Sequence, residues 1–324
     1  MANSTNTPPQ RAPRSSAKGS TAKGAPQREQ QIYTIGSWLK DRFGEKVIKL
    51  SLDGGFTCPN RDGTVGTGGC LFCAAGAGEH ASSLYAPSIQ EQIEILKRKW
   101  PSASKYIAYF QSHTSTHAPV DRLQSIYQAA LAQKDVIGLA IATRPDCLGE
   151  DVLDLLSHLA TETFLWVELG LQTIHGDTFN RCYPLSVYDQ AVDALQTRSI
   201  PVVTHLILGL PGESQQQMKE TVRYVTANKD LFGLKLHLLN VVKGAPLASL
   251  YPGYTPFASL DEYVQLVCDL LEIIPQTVTI HRLTGDVPYK DLIAPSWSYK
   301  KRTILNEIVR EMKRRGSYQG IAIP

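Results

Sequence analysis

Lys46-Val-Ile-Lys-Leu-Ser-Leu-Asp53-Gly-Gly-Phe-Thr-Cys58-Pro-Asn-Arg-Asp-Gly-Thr-Val-Gly-Thr-Gly-Gly-Cys70-Leu-Phe-Cys73 is the most informative stretch of this 324-residue chain. Lys46–Leu52 is too short for a helix and rich in apolar residues, so it predicts a strand. A glycine-rich loop follows, carrying three cysteines at Cys-x11-Cys-x2-Cys spacing. Gly54, Gly55, Gly63, Gly66, Gly68 and Gly69 leave this loop free to wrap tightly around something. Thiolates ligate soft metals, and a Cys-x2-Cys pair grips one metal or two irons of a cluster. Three readings stay open on these residues alone: a zinc site with His80 as fourth ligand, unligated thiols, or a cubane iron–sulfur cluster with one iron left open.

Outward from this loop, short apolar runs alternate with helical patterns. Strands are predicted over Lys105–Phe110, Val136–Ala142, Phe164–Gly170, Pro201–Leu208, Leu234–Leu239 and Thr277–Leu283. Between them, Ser88-x-x-Glu91, Ser186-x-x-Asp189 and Ser259-x-x-Glu262 read as capping-box starts, and Pro119 suits a first helical position. Further helices are expected over Glu150–Leu159 and Ser214–Asn228. A final one, Tyr299–Arg315, sets Ile304, Leu305, Ile308, Val309 and Met312 on one face. Such alternation predicts an α/β fold with a parallel sheet, either open or curled into a barrel. No internal repeat is visible, which excludes solenoids and propellers.

Composition narrows the class. At 43% hydrophobic and 19% charged residues the chain reads as globular. Its net charge of +3 is set by the first 30 residues, which hold five of the 33 basic and one of the 30 acidic groups. The remainder has 28 basic and 29 acidic residues, a net of −1, and so no overall basic signature for nucleic acid. Residues 1–30, rich in Pro, Ser, Thr, Ala, Gly and Gln, are expected to be a disordered basic tail; a transit peptide is the other reading, without the amphipathic pattern one should have. Six cysteines with no hydrophobic leader segment point to a reducing, cytoplasmic setting rather than a disulfide scaffold. No apolar run is long enough to span a bilayer.

The loop Cys58–Cys73 resembles the cluster loop of the radical S-adenosylmethionine (SAM) group known as the YhcC/YtqA-like proteins, related to the radical-SAM domain of the Elongator catalytic subunit. The resemblance runs from about Ile32 to Gly320. It implies a partial (β/α)6 TIM-like barrel over residues 31–285, with a C-terminal strand and helix extension over 286–324 packed on it. It also implies a [4Fe–4S] cluster on Cys58, Cys70 and Cys73, with SAM on the open iron.

Other stations follow from the same resemblance. Phe72 stands where an aromatic residue lies near adenine, though it reads equally as a core aromatic. Gln111, Ser112 and Thr114 belong to the turn that receives the SAM amino group through main-chain acceptors. Ala142-Thr-Arg-Pro-Asp146 resembles the Thr-Arg-Pro-Asp motif of the Elongator subunit, with Ala142 in place of a ribose-binding Glu. Glu168 and Gln172 match a Glu-x-Gly-x-Gln pattern that lies against SAM, Glu168 reading alternatively as a structural ion pair. Pro184 replaces the Arg that grips the SAM carboxylate in relatives, and Arg181 is the candidate to take over. His205 falls at a polar SAM contact or is a core residue, before a Gly209-Leu-Pro-Gly-Glu213 turn beside adenine. Lys235, His237, Lys243, His281 and Arg282 are candidates to face substrate.

The implied chemistry is reductive cleavage of SAM to a 5′-deoxyadenosyl radical that abstracts hydrogen from a substrate, with an electron donor such as flavodoxin or ferredoxin. The implied substrate is tRNA, at the step from carboxymethylaminomethyl-uridine to aminomethyl-uridine at the wobble position. Basic runs at Lys97–Lys99, Lys300–Arg302 and Lys313–Arg315 are candidate phosphate contacts or plain solvated faces. A small metabolite or a protein side chain as substrate, and a zinc-binding module without catalysis, are the competing readings.

Overall fold

A computed structural model describes residues 31–74, 86, 88–176, 183–228 and 230–323. The tail 1–30, His80 and Arg181 lie outside the described residues.

The chain enters through helix α1 (Ile35–Phe43), which the sequence reading missed; Thr34 caps its start and Gly44 closes it in the left-handed conformation. Strand β1 (Val47–Leu52) leads into the cysteine loop. Four strand–helix units are bracketed by α2 (Ile89–Arg98) and β2 (Lys105–Phe110), α3 (Val120–Leu131) and β3 (Val136–Thr143), α4 (Glu150–Glu162) and β4 (Phe164–Gln172), and α5 (Leu185–Thr197) and β5 (Val202–Leu208). Helix α6 (Gln215–Thr226) and strand β6 (Gly233–Leu238) follow, then β7 (Val241–Val242), α7 (Pro246–Leu250), α8 (Leu260–Glu272), β8 (Thr279–Arg282), β9 (Leu292–Ala294) and α9 (Lys301–Arg314).

Local signals behave unevenly. Ser88 and Glu91 form a full capping box. Ser259 accepts from the Glu262 amide, while the Glu262 carboxylate turns instead to the Ala258 amide. Two start signals are displaced, the first by one residue and the second by two. Pro119 is the N-cap of α3 rather than its first helical residue, and α5 begins at Leu185 behind Pro184, leaving Ser186 inside the helix without a capping bond. In both cases proline's fixed φ sets the entry.

Seven strands form one parallel sheet in the order β1-β2-β3-β4-β5-β6-β8. Each strand is added on the same side of the last, so right-handed crossovers place every connecting helix on one face. The other face must then curl around its own side chains, giving a half-barrel rather than an open, doubly wound sheet. Leu50, Phe110, Leu139, Ile141, Val167 and Leu206 point outward into the sheet–helix core. The inward face is closed at one end by α1: Ile35 and Leu39 pack on Val47, Ile107, Ala140, Trp166 and Val203. Trp38 stacks on Phe164 at 5.2 Å and meets Phe232 edge-on at 4.9 Å.

The edge strand β8 is covered by Thr34, which bridges to Ile280. Downstream, β7 and β9 pair antiparallel, and α9 packs on α8 with Ile304, Ile308 and Met312 buried. Val309 departs from the expected face and is 40% exposed. Arg315 departs too. It bonds Asp269, Glu272, Glu311 and Gln265, so it braces α8 against the C-terminus and is not available to a phosphate. No described helix is long and apolar enough to cross a membrane.

Candidate active site

Above the apolar plug, the inward side chains become ionisable. Glu168 on β4 is fully buried and receives a bond from Trp166 Nε1 at 3.0 Å, one from His205 Nε2 at 2.9 Å, and the Lys235 ammonium. Lys235 also donates to the Tyr109 hydroxyl at 2.6 Å. The Lys49 ammonium lies 5.0 Å from the Tyr109 ring and 5.9 Å from that of Trp166. His281 Nδ1 is 3.9 Å from the other Glu168 oxygen, and the His205 and His237 rings are 5.4 Å apart.

Burial works to raise the Glu168 carboxyl, but Lys235, the bond from His205 and Lys49 overcome it and hold Glu168 well below the ordinary range. Burial also depresses the bases. His205 falls to about 4, and His237 and His281 lie well below the usual imidazole range, so all three are neutral at pH 7. Lys235 is drawn down to about 7 by burial, with Glu168 pulling the other way. Because a carboxylate can only accept, His205 presents Nε2–H to Glu168, and its Nδ1 is left as an acceptor.

The cysteine loop roofs this belt. Cys58, Cys70 and Cys73 open onto one cavity of about 370 Å³, which is also lined by Tyr109, Gln111, Thr114, Glu168, Gln172, His205, His237 and Arg282. The loop is braced from within: Asn60 Nδ2 donates to Cys70 Sγ at 3.1 Å, and the Arg61 guanidinium donates to the Cys73 and Ala74 carbonyls at 3.2 and 2.6 Å. Gly69 sits at φ +74, where an added Cβ would lie 3.0 Å from that guanidinium. From outside, the Leu247 amide of α7 bonds the Leu71 carbonyl at 2.9 Å, and Leu71 and Phe72 pack on Ile207, Leu239 and Ala294. A larger groove of about 570 Å³ runs beside the loop past His117, Arg122 and Cys147, but none of the three loop cysteines lines it.

The thiols divide by environment. A bond with Cys70 lowers the Cys73 thiol against burial, helped by Arg61, whereas burial pushes Cys147 and Cys268 up to about 12. Among the described residues no group of three or more His, Cys, Asp or Glu side chains is arranged around a single metal ion. Cys58, Cys70 and Cys73 are free thiols lining one cavity, a donor set that fits a cluster with one iron left open.

Of the residues singled out in the sequence, Phe72, Gln111, Thr114, Glu168, Gln172 and His205 share this cavity with the three cysteines. Phe72 is thus both a packing residue and a wall residue. Ser112 is buried outside the lining, and Lys243 turns away to donate to the Lys290 carbonyl. Gln172 holds φ +72 at a β-bulge after Gly170, where strand pairing with β5 skips a residue. Sequence reasoning gave no site role to Lys49, Asn60, Arg61, Tyr109 or Tyr183, and gave Arg144 only within the Thr-Arg-Pro-Asp motif. The alternation of β1 and β2 did carry a signal for Lys49 and Tyr109, which share the inward parity of Val47 and Ile107.

Residues 61–225 match the Radical SAM superfamily, and residues 232–314 match the Radical_SAM C-terminal domain. The chain is 48% identical over 300 residues to the YtqA protein of Bacillus subtilis (strain 168), spanning 90% of this chain and 92% of that one. It is 38% identical over 308 residues to protein YhcC of Escherichia coli (strain K12), spanning 92% and 97%. A tRNA uridine(34) acetyltransferase of Methanocaldococcus jannaschii is 26% identical over 164 residues, 48% of this chain and 30% of that one. Among solved structures, archaeal Methanocaldococcus infernus Elp3 with its N-terminus deleted superposes with a TM-score of 0.63 at 18% identity, covering 84% of this chain and 64% of that one, and so shares the fold. The convergence of a three-cysteine loop on the mouth of a parallel half-barrel, together with these matches, shows that the chain belongs to the radical SAM superfamily and is an enzyme of its YtqA and YhcC group.

Proposed function

We propose that this enzyme holds a [4Fe–4S] cluster on Cys58, Cys70 and Cys73, binds SAM in the adjoining cavity, and acts on the wobble uridine of tRNA, taking the carboxymethylaminomethyl side chain to aminomethyl. The observation that carries the cofactor assignment is the opening of all three thiols onto one cavity whose far wall is polar. When bound, the pair supplies one-electron reductive cleavage of SAM as the source of the reacting radical.

The chain's own residues have separable tasks. Asn60 and Arg61 fix the Cys70 and Cys73 ends of the loop, so the ligands are positioned before the cluster arrives. Phe72, Gln111, Thr114, Gln172 and His205 are the assigned SAM contacts, Phe72 as apolar wall and the others as polar ones. Glu168 locks the His205 tautomer and so presents Nδ1 as a fixed acceptor. The α1 plug and the aromatic layer of Trp38, Phe164 and Phe232 exclude water from below.

The substrate assignment is supported by similarity to a tRNA uridine(34) acetyltransferase and by the fold shared with archaeal Elp3. Of the basic runs, Lys97 bonds the Lys134 carbonyl, Arg314 pairs with Glu311 and Lys301 with Asp286, which leaves Arg98, Lys99, Lys300, Arg302 and Lys313 as candidate phosphate contacts. Two measurements test the proposal. Ala replacement of any one of Cys58, Cys70 and Cys73 should abolish bound iron and SAM cleavage; retained iron and cleavage refutes the cofactor assignment. Nucleosides from tRNA of a deletion strain should show carboxymethylaminomethyl-uridine accumulating at the expense of aminomethyl-uridine. Unchanged wobble uridines remove the tRNA reading.

A further inference from the structure

The charge in the barrel does not balance. Three basic side chains, Lys49, Lys235 and Arg282, act on the same buried groups, burial drawing both lysines down, and the one carboxylate among the described residues that faces them is Glu168. Neutral His205, His237 and His281 contribute no compensating charge. Lys235 is satisfied by Glu168 and Tyr109. Arg282 is not: among the described residues its guanidinium has neither an ion-pair nor a hydrogen-bond partner, yet it lines the cavity. Beside it, His237 Nε2 is buried without a partner and its ring also lines the cavity.

Arg282 reaches this place through a specific backbone feature. Pairing of β8 with β6 runs Leu234 to Ile280 and then Lys235 to Arg282, so His281 is an extra residue. A bulge of this kind puts two successive side chains on one face. His281 accordingly packs inside on Trp166 and Phe232, and Arg282 enters the cavity where strict alternation would have sent it outward. An excess of positive charge, with Lys235 fully buried and Lys49 and Arg282 half-buried, around an unengaged, fork-shaped donor calls for a planar anion.

We infer that Arg282 and His237 form the seat for a carboxylate group of the substrate, held above Lys49 and Lys235. This rests on the proposed function, and names within it the carboxymethyl end of the uridine side chain as the group recognised. Arg144, just after β3, lines the same cavity, but its guanidinium is already paired with Asp146 and only its Nη1 is buried without a partner, so it is left to the amino-acid end of SAM. Arg282 supplies two parallel N–H donors to the two carboxylate oxygens, and His237 Nε2–H a third.

The test uses cluster-loaded enzyme and two ligand pairs of which one member lacks the carboxylate: carboxymethylaminomethyl-uridine against aminomethyl-uridine nucleoside, which loses the whole carboxymethyl group, and N-acetylglycine against its amide, which changes the carboxylate alone. Wild type should bind the carboxylate member of each pair about tenfold or more tightly, the worth of a charge-assisted bidentate contact. Arg282→Gln should erase the preference while SAM binding stays within about twofold, and Arg282→Lys, which keeps charge without the fork, should retain part of it. His237→Phe should weaken the preference independently, which keeps the test intact if an Arg282 variant does not fold. Equal binding within both pairs, an undiminished preference in Arg282→Gln, or loss of SAM binding in proportion overturns the inference. Preference for N-acetylglycine with neither nucleoside bound supports the carboxylate seat and removes the wobble-uridine reading instead.

Discussion

Glu168→Gln is the sharpest test of the ionisable belt. The substitution keeps side-chain shape and leaves an oxygen for Trp166 or His205, but removes the one negative charge facing Lys49, Lys235 and Arg282. Breaking a buried pair by removing one partner costs about 3–5 kcal/mol, because the remaining charge stays desolvated. With about 2.1 cal/mol/K of unfolding entropy per residue over the 274 described residues, this lowers Tm by roughly 5–9 °C. Lys235→Met should cost a similar amount, leaving Glu168 with Lys49 and His205. The double variant Glu168→Gln/Lys235→Met should be more stable than the sum of the two single losses by about 1–3 kcal/mol. It should not return to wild type, since Lys49 and Arg282 still stand half-buried beside it. Thermal unfolding under anaerobic conditions, with iron content determined in each sample, measures all three. A Tm for Glu168→Gln within about 2 °C of wild type would refute the reasoning, showing that water or relaxation neutralises the belt.

Three other consequences are accessible. Gly69→Ala forces an L-residue into φ +74 and presses a methyl on the Arg61 guanidinium, at a local cost of about 1–2 kcal/mol; iron per chain after reconstitution should fall while the far-ultraviolet spectrum is unchanged, and full iron content would show the Arg61 brace to be dispensable. Acidification should destabilise the fold. His205 takes up its proton near pH 4 when folded but near its ordinary 6.5 when unfolded, so stability is lost as pH falls from about 6.5 to 4, by about 3 kcal/mol for this residue; urea midpoints at pH 7.5 and 5 measure it, and His205→Gln should flatten the slope. Gln319→Ala should cost about 3 kcal/mol, because that buried amide donates to the Pro275 and Val278 carbonyls at 2.8 and 2.7 Å and accepts the Tyr33 amide at 2.9 Å. An unchanged Tm in that variant would mean that water replaces all three bonds.

Much of the architecture is local and was therefore legible. Strand length and apolar content located the seven sheet strands to within one or two residues at most ends, because burial on a parallel sheet demands apolar runs whatever the neighbour is. Serine with a partner three residues on marked α2 because a cap is satisfied within one turn. The same local logic overreached at Ser186 and at Val309, where the chain's entry angle and the curvature of the packed face, not periodicity, set the outcome.

By itself the sequence determined the alternating α/β order, the three-thiol loop after the first strand, and a chemistry that needs soft ligands. Only the tertiary structure decided that the strands add in one direction and so curl, that α1 plugs the barrel, and that Glu168 is an ion-pair hub rather than a lone carboxylate. It also decided that Arg315 is a brace and that Arg282 points inward. Periodicity records which residues are buried along a chain; it carries no information on which distant strand lies beside them, and one extra residue at a bulge reverses the facing of everything beyond it.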